Sequence, residues 1–179
     1  HLGGTGLLAK LDGEPSRKLL AEAKARGRTT TFDLLGANEE TLELIAPLFP
    51  HIDYFMPSID EAKQISGAEN VEGAGAFFLD RGVKHCVFTL GGDGVCFMDA
   101  SGEIVWQPAF QIEVVDTTGC GDAFDAGFIA ALHRKMDLKT ALNFAQASAA
   151  LVATGLGSDA GIRSFDETLA FMNTVPARQ

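Results

Sequence analysis

Residues 115–131 read VDTTGCGDAFDAGFIAA, and the strand-like run QIEVV at 111–115 leads into them. Beyond the glycines, Phe124, Phe128, Ala131 and Leu132 recur at i, i+4, i+7 and i+8, the spacing of one buried helical face. Strand, glycine turn and helix in that order make a β-α unit, the building block of a parallel sheet. Asp122 follows Gly119, Cys120 and Gly121 at the predicted helix start. There the first N–H groups lack intrahelical partners and the helix dipole favours an anion. Glycine lets such amides approach oxygen atoms with no Cβ in the way. An anion cradle beside a carboxylate suits phosphoryl transfer, which needs fixed donors for the developing charge and a base for the attacking hydroxyl. The plainer alternative is an ordinary turn in which Asp122 satisfies the helix start. Asp125 stands almost a turn further along and is read as structural or solvated.

The same alternation runs outward in both directions. The opening HLGGTGLLA reads as the end of a strand, residues 14–26 as a helix, 29–34 as a strand and 39–48 as a helix ended by Pro47 and Pro50. Residues 53–56 form a short strand, and 58–66 and 71–81 form helices closed near Gly67 and Gly82. Strands are expected at 85–90, 95–98, 103–106 and 111–115. Leu138, Leu142, Ala145, Ala149 and Val152 stripe a further helix, and Ser164 with Glu167 forms a capping box for the last one. The expected fold is α/β, a three-layer α/β/α sandwich with a largely parallel sheet, in a single domain over residues 1–179. Ligands of such folds lie beyond the carboxyl ends of the strands, where the glycine-rich motifs fall.

With 46% hydrophobic residues in 179, the chain can bury a substantial core, and it holds no apolar run near the roughly 20 residues of a membrane span. A net charge of −10 argues against nucleic-acid binding through the overall field. Cys86, Cys96 and Cys120 show neither metal-ligand spacing nor a disulfide framework, which fits a reducing cytoplasm. Cys86 and Cys96 fall in strands and read as buried. Cys120, at a helix N-terminus, is expected to have a lowered thiol pKa, and its alkylation is expected to block the cradle. His1, His51, His85 and His133 are dispersed and read as structural or solvent-facing. With no GxxxxGK(S/T), HRDxxxxN or HExxH present, P-loop, protein-kinase and zincin mechanisms are disfavoured.

Residues 115–131 closely resemble the C-terminal signature of the PfkB, or ribokinase-like, family of sugar and nucleoside kinases. Two further stretches match in the same order: VFTLGGDGV at 87–95 is similar to the family's nucleotide-binding strand and turn, and MPSIDEA at 56–62 to its acidic PNxxEA motif. The resemblance covers essentially all of this chain but only the C-terminal part of the family's usual length. A fragment is therefore expected, without the N-terminal portion that normally carries the sugar contacts and a small β lid.

The resemblance implies an ATP-dependent kinase acting on a hydroxyl of a sugar or related small alcohol. Asp122 would be the catalytic base, and the amides of Gly119, Cys120 and Gly121 its anion hole. Thr89, Gly91, Gly92 and Gly94 would contact ATP, and Gln146 would lie near the adenine. Glu61 would organise Mg²⁺ through water, with Ser58 where the family most often has Asn. Asp116 and Thr118, with carbonyls near Val152 and Gly157, match a monovalent-cation site, so K⁺ dependence is an expectation, weakened by Gly161 where some relatives offer a side-chain oxygen. FDLLG around Asp33 departs from the FDxN-like stretch of many relatives and leaves the acceptor open. A homodimer formed through the lid is also implied, with no nucleic-acid or membrane partner. A non-catalytic or truncated nucleotide-binding module and a hydroxymethylpyrimidine or pyridoxal kinase of the same superfamily stand as alternatives.

Overall fold

A computed structural model describes residues 1–38, 40–162 and 164–178. Its elements run β1 (Leu2–Thr5), α1 (Glu14–Ala25), β2 (Thr31–Leu34), α2 (Thr41–Ile45), a 3₁₀ segment (Ala46–His51), β3 (Tyr54–Phe55), α3 (Ile59–Ser66), α4 (Val71–Leu79), β4 (His85–Thr89), a 3₁₀ turn (Gly91–Asp93), β5 (Val95–Asp99), β6 (Ile104–Gln107), α5 (Cys120–His133), α6 (Leu138–Ala153) and α7 (Phe165–Thr174). The six strands form one sheet in sequential order, and β1–β2, β2–β3 and β3–β4 pair in parallel. The expected α/β class with a largely parallel sheet is borne out. The residues group into two compact units: 1–89 with 96–104, and 90–95 with 105–179.

In the first unit β1, β2 and β3 are each followed by a helical segment, the β-α alternation of a parallel sheet. Phe78 of α4 is fully buried and meets Phe55 at 4.8 Å, Phe49 at 5.5 Å and Phe88 at 6.2 Å, all in edge-on arrangements. Such contacts add to what the buried area itself contributes. Cys86 and Cys96 are buried as expected, and burial pushes the Cys96 thiol up to about 12. His85 is stacked between Tyr54 at 4.7 Å and Phe97 at 5.4 Å, and burial holds its pKa below the usual value. Its role is structural.

Two expected elements changed. The helix at 39–48, whose first residue Glu39 lies outside the described residues, is an α-helix only over Thr41–Ile45 and continues as 3₁₀. Pro47 has no N–H to donate to the carbonyl four residues back, and Pro50 removes a second donor, so the α ladder stops there. Residues 111–115 are not a strand. Their backbone bonds go elsewhere: Gln111 N–H donates to the Pro176 carbonyl at 2.9 Å and Val115 N–H to that of Ala153 at 2.8 Å.

Asp53, at the start of β3, is a buried carboxylate. Its Oδ1 accepts from Lys24 Nζ at 2.8 Å, and its Oδ2 accepts from the Thr30 N–H at 2.9 Å and the Thr30 hydroxyl at 3.1 Å. Burial alone would raise its pKa, but Lys24 and Thr30 together hold it below the ordinary value. A carboxyl more acidic in the folded than in the unfolded chain stabilises at pH above its unfolded value, about 3.9, and that contribution is lost as pH falls through the folded value. The urea midpoint should therefore fall between pH 5 and 3 more steeply in the wild type than in Asp53→Asn. Parallel profiles would contradict this.

In the second unit α5 and α6 lie against each other, joined by a short connection over 134–137. Gly127 permits the approach: a Cβ there would sit 2.5 Å from Ser148 Oγ and 3.0 Å from Ala145 Cα. Asp137 caps α6, accepting from the Thr140 N–H at 3.1 Å and its hydroxyl at 2.6 Å. The expected apolar stripes are core: Phe124, Phe128, Ala131, Leu142, Ala145 and Val152 are buried. Of the capping box expected for α7, the half that caps the backbone is present, Ser164 Oγ accepting from the Glu167 N–H at 3.2 Å.

Candidate active site

Within the second unit, the loop 115–119 delivers the chain to α5. Asp116 is its organiser: Oδ1 accepts from the Thr118 N–H at 2.9 Å and the Thr118 hydroxyl at 2.8 Å, while Oδ2 accepts from the Gly157 N–H at 3.1 Å. The Thr118 backbone and hydroxyl bonds, then that from Gly157, hold this carboxyl below the usual carboxylate range. Three of the four expected cation-site residues are thus brought together by Asp116. The fourth, Val152, contributes a carbonyl that accepts from the Gly155 N–H at 3.1 Å. Gly161 is required by its backbone: φ is +73°, and a Cβ would fall 2.5 Å from the Leu151 carbonyl oxygen.

Gly119 is the N-cap of α5 with φ +78°, and a Cβ there would lie 2.5 Å from Ser158 Cβ. Ser158, which nothing in the sequence pointed to, packs so closely that only glycine fits. The Ala123 N–H makes the first intrahelical bond, to the Gly119 carbonyl, and the Cys120 N–H donates to the Thr117 carbonyl at 3.2 Å. Of the opening amides, those of Gly121 and Asp122 have no backbone acceptor among the described residues. Asp122 is exposed in the first turn, and Asp125 is buried. Cys120 corrects an expectation: burial and the neighbouring Asp116 raise its thiol pKa, and its Sγ lies 3.5 Å from the Ala149 carbonyl. Desolvation against α6 outweighs the helix terminus.

The turn 90–94 belongs to the same unit. The Leu90 N–H donates to the Gly94 carbonyl at 2.8 Å, and the Gly94 N–H to that of Gly91 at 3.2 Å. Gly91 and Gly94 have φ of +57° and +109°. Arg178, another residue that carried no signal in the sequence, donates from its guanidinium to the Gly92 carbonyl at 2.8 Å. Gln146 is buried, and its amide nitrogen faces the carbonyls of Pro108 at 3.2 Å and Gln107 at 3.4 Å. That amide links α6 to the end of β6.

In the first unit, Ser58 and Glu61 form a reciprocal capping box at the start of α3. Ser58 Oγ accepts from the Glu61 N–H at 3.3 Å, while Glu61 Oε2 accepts from the Ser58 N–H at 2.9 Å and the Ser58 hydroxyl at 2.6 Å. Glu61 Oε1 accepts from the Gly36 N–H at 2.8 Å, tying the loop after β2 to α3. A carboxylate has about four lone-pair directions, so these three bonds leave one on Oε1. That fits a contact to metal-bound water but not bidentate ligation. Thr89 ends β4, bridging to Ser58, with its N–H 3.3 Å from the Pro57 carbonyl. Among the described residues no group of three or more His, Cys, Asp or Glu side chains could hold a metal ion, and no helix is long and apolar enough to cross a membrane.

Replacing Glu61 by alanine keeps the Ser58 cap but removes the reciprocal half of the capping box and the Gly36 tie, and should cost about 1–2 kcal/mol. Urea unfolding checks this, and an unchanged midpoint would show that neither bond matters.

A mostly parallel sheet with helices between its strands and a glycine turn opening α5 defines an α/β protein of the kind that binds ligands at strand ends. The chain belongs to the pfkB family of carbohydrate kinases, whose model matches residues 1–164. It is 33% identical over 126 residues to a ribokinase of Haemophilus influenzae, covering 68% of this chain and 41% of the relative. It is 31% identical over 179 residues to the aminoimidazole riboside kinase of Salmonella typhimurium, covering 92% and 56%. A crystal structure of a putative ribokinase II from E. coli in complex with ATP and Mg²⁺ superposes with a TM-score of 0.78 at 29% identity, covering 89% of this chain and 53% of that one. The chain spans about half the length of the relatives it matches.

Proposed function

We propose that this chain carries the catalytic half of an ATP-dependent kinase that phosphorylates a hydroxyl of a sugar or related small alcohol. The observation that carries the reading is the exposed Asp122 carboxylate in the first turn of α5, beside opening amides that no helical carbonyl takes up. Asp122 accepts the proton of the attacking hydroxyl, and the cradle opened by Gly119, Cys120 and Gly121 meets the charge growing on the transferred phosphoryl oxygens. With the Cys120 amide engaged, the donors of that cradle are Gly121 and Asp122. The glycines of the turn 91–94 let backbone approach the nucleotide closely. Mg²⁺, when bound, neutralises phosphate charge, and the remaining lone pair of Glu61 accepts from one of its waters. The loop that Asp116 draws together with Thr118 and Gly157 is the candidate K⁺ site. Three unpaired cysteines support a reducing, cytoplasmic setting.

ADP formation with Mg²⁺ and a panel of ribose, fructose, ketodeoxygluconate and adenosine tests the reading. Turnover that depends on one acceptor supports it. Tight ATP binding with no turnover on any acceptor, in this chain and in a chain extended at its N-terminus, would favour a nucleotide-binding module instead.

A further inference from the structure

A recess lies in the first unit, at the sheet edge where the strands begin. Lys24, Gly27, Arg28, Thr29, Asp53, Tyr54 and Lys84 line this recess of about 290 Å³. Since β2, β3 and β4 are parallel, Thr29, Asp53 and Lys84 all precede their strands at one edge, while Gly36 and Ser58 follow theirs and Thr89 ends β4 at the other. β4 alone, with five residues, separates the edges by roughly 16 Å. The recess is therefore separate from Ser58, Glu61 and Thr89, the candidate-site residues of this unit.

Its charges do not cancel. The Lys24 ammonium is matched by Asp53, whose second oxygen is taken up by Thr30. Arg28 and Lys84 are exposed and form no ion pair among the described residues. Two uncompensated cations thus border one recess in a chain whose net charge is −10, so an anion that the rest of the surface repels is attracted here. The volume sits at the lower limit of about 300–1,000 Å³ typical of pockets for drug-sized ligands, which restricts the occupant to a small molecule. Arginine offers a planar donor fork that matches phosphate oxygens, and lysine a point charge.

We propose that this recess binds a dianionic phosphate group, free or as the phosphate monoester of a small alcohol, between Arg28 and Lys84. The inference does not depend on the proposed function, because it uses none of the residues assigned to it. Amide chemical shifts of the full chain, followed during titration with inorganic phosphate and separately with glycerol 3-phosphate at constant ionic strength, test it. Saturating shifts at Gly27, Thr29, Tyr54 and Lys84 are expected near millimolar concentration, about 1 mM. The Arg28→Ala, Lys84→Ala double variant should weaken binding at least about tenfold, the order expected for losing charge-assisted bonds. Because both side chains are exposed, the α5 resonances of that variant should be unchanged. A tighter monoester identifies the ester as the occupant, and equal affinities identify the phosphate group alone; either supports the site. Shifts that never saturate, that survive in the double variant, or that are confined to residues 119–122 overturn it. The last outcome would leave the reading of Asp122 intact.

Discussion

Asp122→Ala is expected to lower turnover by about a hundred- to ten-thousandfold, the usual contribution of a positioned general base, while ATP affinity changes little. The separation follows from the geometry. The carboxylate is exposed in the first turn of α5, so its removal leaves no cavity and forfeits only a helix-dipole interaction of about 0.3–1 kcal/mol. Backbone amides supply the cradle, and they remain. Asp122→Asn should behave alike, since an amide keeps the shape but cannot take the proton. Single-turnover rates and equilibrium ATP binding, measured on the same preparations, check both halves. Turnover within a fewfold of wild type would remove Asp122 from the chemistry, and a parallel collapse of ATP binding would make it a ligand contact instead of a base.

The second large effect is on stability. Gly94→Ala should cost about 3 kcal/mol or more, whereas Gly91→Ala in the same turn should cost about 1–2 kcal/mol. Both glycines have positive φ, but only Gly94 is hemmed in by backbone. A Cβ there would run into the Gln107 carbonyl oxygen and lie 2.8 Å from Ala109 N and 2.9 Å from Pro108 C. At Gly91 no atom comes within 4 Å of the added carbon, so only the conformational cost remains. At about 2–4 °C per kcal/mol for a chain of this size, the difference between the variants is readable in thermal melts. Equal melting points for the two would mean that the segment 107–109 yields freely to the turn.

The contrast between these glycines shows how much a sequence can say. GGDG at 91–94 suits a tight turn, because glycine tolerates the positive φ that Gly91 and Gly94 adopt. Which glycine is irreplaceable depends on what lies against it, and residues 107–109 are remote in the chain. The same holds at the other motifs. Ser58 and Glu61 stand at the capping-box spacing, and the carboxylate that the resemblance assigns to Mg²⁺ also closes that box. The tie to Gly36 could not be read, since it joins positions far apart in sequence. Gln146 is placed near the adenine by the family resemblance alone. Its burial against the Gln107 and Pro108 carbonyls is a fact of packing. At Cys120 the helix terminus alone predicts a lowered thiol pKa, and burial with the neighbouring Asp116 raises it instead.

The sequence by itself determined the order of strands and helices, the glycine turn ahead of α5 and the placement of Asp122 in its first turn. Each of these follows from periodicity, backbone freedom or capping acting within a few residues. Only the tertiary structure decided that 111–115 is no strand, since Pro176 and Ala153 provide its hydrogen-bond partners. It also decided that the Asp116 carboxylate gathers Thr118 and Gly157, and that Arg28 and Lys84 share a recess. Partners and solvent access arise only when distant segments meet, and an isolated stretch of chain carries no record of what will come to lie against it.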